Sequence, residues 1–303
     1  MEKLQERLNN EFILYPELED LADRAVDYLS ARFPVHFTGP SGVGKTSLAL
    51  YVASRMNRPL TFLQGNYEMR NEDLIGGMSG YTSNKTVDNF VRSVRKQEEK
   101  LTENRVDGRL VRAVKNGHTV VYDEFTRSKP ETNNLFLSVV EEGILPLYGI
   151  KGEESHIPVH PDFSIIFTSN PEEYVGTYRT QDALQDRMIT IDVDTVDERA
   201  EAYILKDRTE VSDREAAFII TFMKKIRSKC MENGEVGPGL RSSIMIGSIA
   251  QKAKIEINPD NERFQKLIFD IIEFTIHRNL GYKSKEQTRN YLVREMKKLW
   301  GGN

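Results

Sequence analysis

The sequence is short of cysteine and of long apolar runs, and each shortage excludes a class of protein. Its one cysteine, Cys230, cannot form an internal disulfide, which is typical of proteins in a reducing compartment. No stretch of about 18 apolar residues is present, so a membrane-spanning helix is not expected. The first residues, MEKLQERLNNEF, lack the apolar segment of a secretory signal. The chain is therefore expected in the cytoplasm and without a membrane partner.

Positive charge is also in short supply. The 42 lysines and arginines are outnumbered by 46 aspartates and glutamates, which leaves a net charge of −4. Proteins that bind nucleic acids usually present an excess of positive charge, and neither terminus shows a helix-turn-helix pattern. A nucleic-acid partner is therefore not expected. The length of 303 residues is enough for two domains.

The most informative feature that is present is a phosphate-binding motif. Residues 35–56 read VHFTGPSGVGKTSLALYVASRM, and residues 39–46 fit the pattern G-x-x-x-x-G-K-[ST] at every position. β-forming residues precede the motif and helix-forming residues follow it, which is the strand–loop–helix setting that the motif requires. The predicted nucleotide-binding residues are Gly39, Pro40, Ser41, Gly42, Val43, Gly44, Lys45, Thr46 and Ser47.

The residue types in this motif have specific chemical roles. Gly42 and Gly44 allow consecutive backbone N–H groups to turn towards phosphate oxygens. Lys45 can reach the β- and γ-phosphates, and the Thr46 hydroxyl can bind Mg²⁺. The motif alone fits kinases, GTPases, transporters and mechanical ATPases, so other residues must decide between these classes.

Five β-rich runs alternate with helical segments before about residue 193. They read VHFTG, LTFLQG, HTVVYDE, FSIIFTSN and MITIDV. Such alternation predicts an α/β fold with a parallel five-stranded sheet that helices cover on both faces. Only helical patterns follow Val193, which predicts a separate all-helical domain. We expect a nucleotide-binding domain over residues 1–194 and a helical lid domain over residues 195–303.

Polar side chains stand at the ends of two of the buried strands. Asp123 and Glu124 close the run HTVVYDE, and the carboxyl ends of parallel strands face the ligand crevice of an open α/β sheet. We predict that Asp123 holds Mg²⁺, usually through water, and that Glu124 activates the attacking water. A glutamate in this place favours hydrolysis over transfer to a second substrate. Asn170 is predicted to orient the same water, although asparagine before proline is also a common turn residue.

Together these motifs resemble the AAA+ ATPases and, among them, the MoxR-like branch. The stretch DEFTRSKPETNNLFLSVVEEGILPL is similar to the helix of this branch that follows the acidic strand end and leads into a β-hairpin. The stretch NEDLIGG is similar to the insert in its second helix. The resemblance runs from about Phe33 to the end of the chain. It implies an ATP- and Mg²⁺-dependent hydrolase with an AAA+ P-loop core and a helical lid.

The same resemblance assigns roles to two arginines. DALQDRM is similar to the branch's Leu-Asp-Arg-Phe motif, with Met188 in place of the aromatic residue, and this makes Arg187 the candidate arginine finger. The alternative is that Arg187 pairs with Asp186 or Asp182 on its own surface. GPGLRSSIMI resembles the sensor-2 motif, which makes Arg241 the candidate sensor.

Within that branch, the chain resembles the gas vesicle protein N family. The similar features are FTGPSGVGKTSLALYVA, YDEFTRSKPETNNLFLSVVEEGILPL and a compact lid with no appended domain. This resemblance implies a cytoplasmic ATPase, associated with gas vesicles, that assists vesicle assembly and acts on shell or accessory proteins. It further implies a homo-oligomeric ring, which is expected to be a hexamer.

The sequence leaves several alternatives open. A nucleotide-gated scaffold of the gas vesicle with little turnover, or a MoxR-like chaperone for another protein complex, would carry the same motifs. Arg127 and Lys129 could reach the nucleotide of a neighbouring subunit or form surface ion pairs. Residues 81–112 are highly charged with mixed sign, and they could form a solvated helix or a surface that faces a partner or a central pore.

Overall fold

A computed structural model of the protein describes residues 16–88, 96–147, 155–170, 182–193, 197–282 and 284–301. These residues form two compact units. The first includes the residues up to Thr38 together with Lys45–Asp192, and the second includes Gly39–Gly44 and the residues from Val193 onward. The domain boundary expected at residue 194 stays a prediction.

The first unit is built on a parallel sheet of five strands in the order β2-β5-β8-β1-β9. All five predicted strands are present, and the predicted α/β fold is confirmed. β5 and β8 are buried along their whole length, because their nearly unbroken β-branched and aromatic residues pack on both faces of the sheet. The strands are β1 (Val35–Thr38), β2 (Leu60–Gln64), β5 (Thr119–Asp123), β8 (Ser164–Thr168) and β9 (Ile189–Asp192).

Helices of the first unit alternate with the strands. The first described helix covers Pro16–Ser30, and residues 1–15 lie outside the described part of the chain. A 3-10 helix covers Phe125–Arg127 directly after β5. The α-helices are α1 (Pro16–Ser30), α2 (Lys45–Arg55), α3 (Asn71–Ile75), α4 (Arg109–Asn116), α5 (Pro130–Glu141) and α6 (Asp182–Gln185).

Aromatic rings join the strands that carry the acidic site to the helix that follows them. The Tyr122 ring of β5 packs on Phe136 of α5 with 4.9 Å between ring centroids. Phe125 of the 3-10 helix meets Phe167 of β8 edge to face at 5.1 Å. All of these rings are buried, so the ends of β5 and β8 rest on a packed core.

A solvated helix was one alternative for residues 81–112, and most of the described residues there do not form one. The chain forms a long antiparallel hairpin instead, with β3 at Gly76–Asp88 and β4 at Lys96–Asp107. Like charges four residues apart, as at Lys96 and Lys100, disfavour a helix. In the hairpin, Lys85 stands opposite Glu99 in the register of the two strands.

A second, shorter hairpin stands between α5 and β8. It pairs β6 (Ile144–Pro146) with β7 (His156–Pro158) in antiparallel orientation, and residues 148–154 lie outside the described part of the chain. Its position after α5 is the one that the family resemblance predicted. Buried Leu145 and Ile157 anchor the hairpin in the core of the first unit.

From Val193 onward, the described residues of the second unit form helices joined by loops, as predicted. Its helices begin at well-formed caps: the Ser212 hydroxyl accepts from the Glu215 N–H, and Asn261 accepts from two N–H groups. No helix among the described residues has the length and apolar content that a membrane span needs. The helices are α7 (Glu198–Thr209), α8 (Asp213–Met231), α9 (Leu240–Lys252), α10 (Glu262–Leu280) and α11 (Lys285–Trp300).

Candidate functional site

The predicted phosphate loop has a backbone that depends on glycine. Gly39, Gly42 and Gly44 have φ angles of 145°, 84° and 94°, which side chains rarely allow. A Cβ at Gly39 would also lie 2.3 Å from the Val193 carbonyl oxygen. Val43 is buried, whereas its neighbours Gly42 and Gly44 are exposed. The loop is therefore anchored by one apolar side chain and presents Gly42 and Gly44 to solvent, while Gly39 is buried.

Lys45, Thr46 and Ser47 form the first turn of α2. The first N–H groups of a helix have no partner within it, and the helix dipole adds partial positive charge there. No acidic side chain occupies this first turn, so a negatively charged group can approach it. All three side chains are half-buried. A phosphate would meet N–H groups and the Lys45 charge at the same helix end.

Two hydroxyl groups converge on one oxygen of Asp123. The Thr46 hydroxyl donates to Asp123 Oδ1 over 2.7 Å, and the Thr168 hydroxyl donates to the same atom over 2.6 Å. Asp123 is buried. These contacts connect the helix after the phosphate loop with β5 and β8, so three predicted parts of the site meet at one carboxylate.

These oxygens fit the chemistry of Mg²⁺. The ion prefers oxygen ligands, and it usually takes one or two from the protein and the rest from phosphates and water. Thr46 and Asp123 offer such oxygens 2.7 Å apart. Within the described residues no group of three or more histidine, cysteine, aspartate or glutamate side chains could hold a metal. Thr46 and Asp123 are accordingly the residues that would hold Mg²⁺ beside a nucleotide.

Glu124 has a left-handed backbone, with φ 52° and ψ 41°. Such a conformation costs a residue other than glycine about 1–2 kcal/mol, and strain of this kind is frequent at functional sites. The Glu124 N–H donates to the Thr168 hydroxyl over 2.9 Å. Thr168 therefore binds both acidic residues of the strand end, and it fixes the point from which the Glu124 side chain departs.

Arg127 and Lys129 have partners within the chain. Arg127 Nε lies 3.1 Å from Glu124 Oε2, and both side chains are a little over one third exposed. The Lys129 ammonium lies 4.6 Å from the centroid of the Tyr67 ring. In this structure Arg127 therefore forms an ion pair, which was one of its two alternatives. Its partner is Glu124, the residue predicted to activate water. A role of either residue towards a neighbouring subunit stays a prediction.

Asn170 follows β8 and is half-buried. The residue before it, Ser169, is buried, and its N–H donates to the Phe37 carbonyl over 3.0 Å. This bond extends the pairing of β8 with β1 to Ser169, the residue directly before Asn170. Asn170 therefore lies two residues after Thr168, which binds the acidic strand end.

Arg187 lies just after α6, and its hydrogen-bond partners lie in α6 and at the end of α5. Its Nη1 donates to the Ala183 carbonyl over 2.6 Å, and its Nη2 bonds the Glu141 carboxylate at the end of α5. The alternative surface pair with Asp182 or Asp186 is not the hydrogen-bonded one, because α5 ends beside Arg187. The role of Arg187 as an arginine finger stays a prediction. The hydrogen bond to Glu141 raises the pKa of the Arg187 guanidinium.

Arg241 stands in the first turn of α9, where its side chain is exposed. A cation at a helix N-terminus opposes the helix dipole, so its presence there does not stabilise the helix. Arg227 contacts the loop before α9, because its Nε donates to the Pro238 carbonyl over 3.2 Å. The buried Glu201 carboxylate binds Arg227 through two hydrogen bonds of 2.7 and 3.0 Å.

Sequence reasoning missed two residues of this region, Thr168 and His36. Both are polar residues in buried strands, at 1% and 4% exposure. Thr168 could have been predicted from its position, because it stands two residues before Asn170 at a strand end where a polar site residue was already expected. His36 could have been noticed as a histidine within an otherwise β-forming run directly before the phosphate loop.

Comparison with known proteins finds a family and several relatives that this chain resembles. The family described as AAA domain (dynein-related subfamily) matches residues 34–188. The gas vesicle ATPase GvpN of Ancylobacter aquaticus is 41% identical over 273 residues, which cover 90% of this chain and 76% of that protein. The GvpN of Haloferax mediterranei is 36% identical, over 80% of this chain and 70% of its own length. Among solved structures, a mutant of Thermotoga maritima RuvB aligns with 90% of this chain and 85% of its own, at 15% identity and a TM-score of 0.45.

Proposed function

Because the chain belongs to the AAA domain family (dynein-related subfamily) and, within it, to the gas vesicle ATPase GvpN family, we propose that it hydrolyses ATP and assists gas vesicle assembly. The observation that carries the ATPase proposal is the convergence of Thr46 and Thr168 on Asp123. This contact brings the phosphate-loop helix to the acidic strand end at hydrogen-bond distance. Glu124 follows immediately in the chain, which supports the proposal that it is the water-activating base.

In the proposed reaction, each part of the site has one role. The N–H groups of the phosphate loop and Lys45 bind the β- and γ-phosphates, and Thr46 and Asp123 hold Mg²⁺. The ion, when bound, neutralises charge on the phosphates. Glu124 takes a proton from the attacking water, and Asn170 orients that water.

Two arginines complete the proposed site. Arg187, supplied by the neighbouring subunit of a homo-oligomeric ring, stabilises charge on the γ-phosphate. In the isolated chain this guanidinium bonds Glu141, so it must exchange a carboxylate for a phosphate when the ring forms. Arg241 acts as the sensor of nucleotide state. A hexamer is the ring that we propose.

The gas vesicle role rests on the relatives. Proteins named gas vesicle ATPase GvpN are 41% and 36% identical to this chain over most of its length. We propose that the ring works in the cytoplasm and that its clients are shell or accessory proteins of the vesicle. Remodelling of those proteins would use the energy of ATP hydrolysis.

A nucleotide-gated scaffold with little turnover is the second candidate. It is favoured by the ion pair between Arg127 and Glu124, because the guanidinium occupies a carboxylate oxygen that could otherwise accept a hydrogen bond from the attacking water. Steady-state phosphate release with and without purified vesicle proteins separates the two candidates. Turnover that stays negligible in both conditions favours the scaffold, and turnover that vesicle proteins stimulate favours the remodelling ATPase.

Two substitutions test the ATPase directly. Lys45→Ala should weaken ATP binding about tenfold or more, because a charge-assisted contact worth about 1.5–3 kcal/mol is lost. Glu124→Gln should keep ATP affinity and slow phosphate release by about 10²–10⁴-fold, because the amide is no base. Glu286→Gln, an exposed change in α11, is the matched control and should leave both quantities unchanged. Normal turnover in Glu124→Gln would refute its role.

A further inference from the structure

His36 is a buried histidine that the proposed reaction does not use. It lies in β1, which pairs with β8 and β9 and leads into the phosphate loop, and only 4% of its surface is exposed. β-branched and apolar residues suit a strand that is buried on both faces. A histidine in such a strand must find partners for both ring nitrogens, because an unpaired buried polar group is costly.

Both ring nitrogens do have partners, and they lie on the two neighbouring strands. The Nε2 atom lies 2.8 Å from the Ser169 hydroxyl at the end of β8. The Nδ1 atom lies 3.2 Å from the Thr190 hydroxyl of β9. A hydroxyl group can donate or accept, so a neutral imidazole satisfies both contacts in either tautomer. Burial lowers the pKa of His36 to about 4, which keeps the ring neutral in the cytoplasm.

The third contact of the ring is aromatic. Phe125 meets His36 edge to face, with 5.4 Å between centroids and 88° between ring planes. Phe125 belongs to the 3-10 helix that starts immediately after Glu124. One imidazole thus touches three segments that lie far apart in the sequence.

Each of these segments carries a group of the proposed reaction. Ser169 precedes Asn170, Phe125 follows Glu124, and Thr190 follows Arg187 by three residues. We propose that His36 is a positioning residue, which holds Asn170 in register with Glu124 through its hydrogen bond to Ser169 and its contact with Phe125. His36 touches neither nucleotide nor water in this role. The inference rests on the proposed ATPase function.

Two near-isosteric substitutions separate the hydrogen bonds of the ring. The amide end of glutamine reaches about as far as Nε2, so His36→Gln keeps a partner for Ser169. The amide of asparagine reaches about as far as Nδ1, so His36→Asn keeps a partner for Thr190 and abandons Ser169. We expect His36→Asn to lower kcat for ATP hydrolysis about tenfold or more, because small misplacements of catalytic groups cost such factors. His36→Gln should recover most of the rate, and KM for ATP should change less than about twofold in both.

A double-substitution cycle tests whether the effect runs through Asn170. In an Asn170→Ala background, His36→Asn should lower kcat no further, because the group that it positions is already gone. Ser169→Ala should reproduce the effect of His36→Asn from the other side of the bond, with a smaller change to the core. Circular dichroism and ATP affinity show whether each variant is folded. If a His36 variant does not fold, Ser169→Ala tests the same hydrogen bond in its place.

The outcomes distinguish this inference from the proposed function. Full turnover in Asn170→Ala would overturn the role of Asn170 and the positioning role of His36 together. Impaired Asn170→Ala with normal kcat in folded His36→Asn and Ser169→Ala would overturn the role of His36 alone. Equal losses in His36→Gln and His36→Asn, or a loss that multiplies with that of Asn170→Ala, would show that His36 only fills the core.

Discussion

At the scale of single residues, Thr168 is the contact on which the acidic strand end depends. Its hydroxyl donates to Asp123 and accepts from the Glu124 N–H. Thr168→Val keeps the shape and removes both bonds, which leaves Asp123 with one hydroxyl fewer and Glu124 without support for its left-handed backbone. We expect kcat to fall about tenfold or more and the free energy of unfolding to fall by about 1–3 kcal/mol. Stopped-flow phosphate release and urea unfolding measure the two quantities.

Thr168→Ser is the matched control for that prediction. It keeps the hydroxyl and removes only the methyl group, so the rate should stay close to that of the wild type. Equal rates in Thr168→Val and Thr168→Ser would show that the bonds to Asp123 and Glu124 do not matter for turnover.

The lowered pKa of His36 leads to a prediction of how the stability of the protein depends on pH. An unfolded histidine binds a proton near its ordinary pKa of 6.5, whereas burial lowers the pKa of folded His36 to about 4. Between these values the unfolded chain binds more protons, so stability falls as the pH falls. The cost between pH 7 and pH 4 is on the order of 3 kcal/mol. His36→Gln lacks this group and should lose that much less over the same range, in urea unfolding without nucleotide. A parallel loss in both proteins would contradict the prediction.

Local motifs were predictable residue by residue, and contacts between distant strands were not. The roles proposed for Lys45, Thr46 and Asp123 follow from a short pattern and from a strand end. The partner of Arg187 could not be read in this way, because Glu141 lies 46 residues earlier in the chain. The same holds for His36 and Ser169, which meet only when β1 and β8 pair.

At the scale of elements, the hairpin of β3 and β4 depends on two glycines at its base, Gly76 and Gly108, whose backbones approach each other closely. A Cβ at Gly108 would lie 2.2 Å from the Leu74 carbonyl oxygen and 2.4 Å from the Gly76 N atom. Gly108→Ala must therefore move backbone, and we expect a loss of about 1–3 kcal/mol in the free energy of unfolding. Gly77→Ala is the control, because nothing lies within 4 Å of its Cβ position. Thermal unfolding of both variants tests this, and equal stability would contradict it.

The same hairpin shows where pattern reading fails. Alternation of apolar and polar residues identifies a strand that is buried on one face, and an unbroken apolar run identifies one buried on both faces. The residues of β3 and β4, GGMSGYTSNKTVD and KQEEKLTENRVD, give neither signal. The strands β1, β5 and β8 are buried along their whole length, and this burial is visible in their β-branched and aromatic residues, which made them predictable.

At the scale of the whole molecule, the proposed site is incomplete in one chain. Arg187 is the group that a neighbour would supply, and its bond to Glu141 is one that the isolated chain can make alone. A ring of identical subunits repeats one head-to-tail interface until it closes. Each interface would then pair the phosphate loop of one subunit with the Arg187 of the next. The account therefore predicts that two different defects can be repaired by mixing subunits.

The rate of ATP hydrolysis by mixed rings tests this central claim most directly. Lys45→Ala subunits lack a working phosphate loop but carry the finger, and Arg187→Ala subunits have the reverse. Each variant alone should be inactive, since an arginine finger contributes about 10³–10⁵ in rate. In an equal mixture, about a quarter of the interfaces combine the two intact parts, and hydrolysis should return in that proportion. Full activity of Arg187→Ala alone, or no recovery in rings shown to contain both variants, would contradict the account.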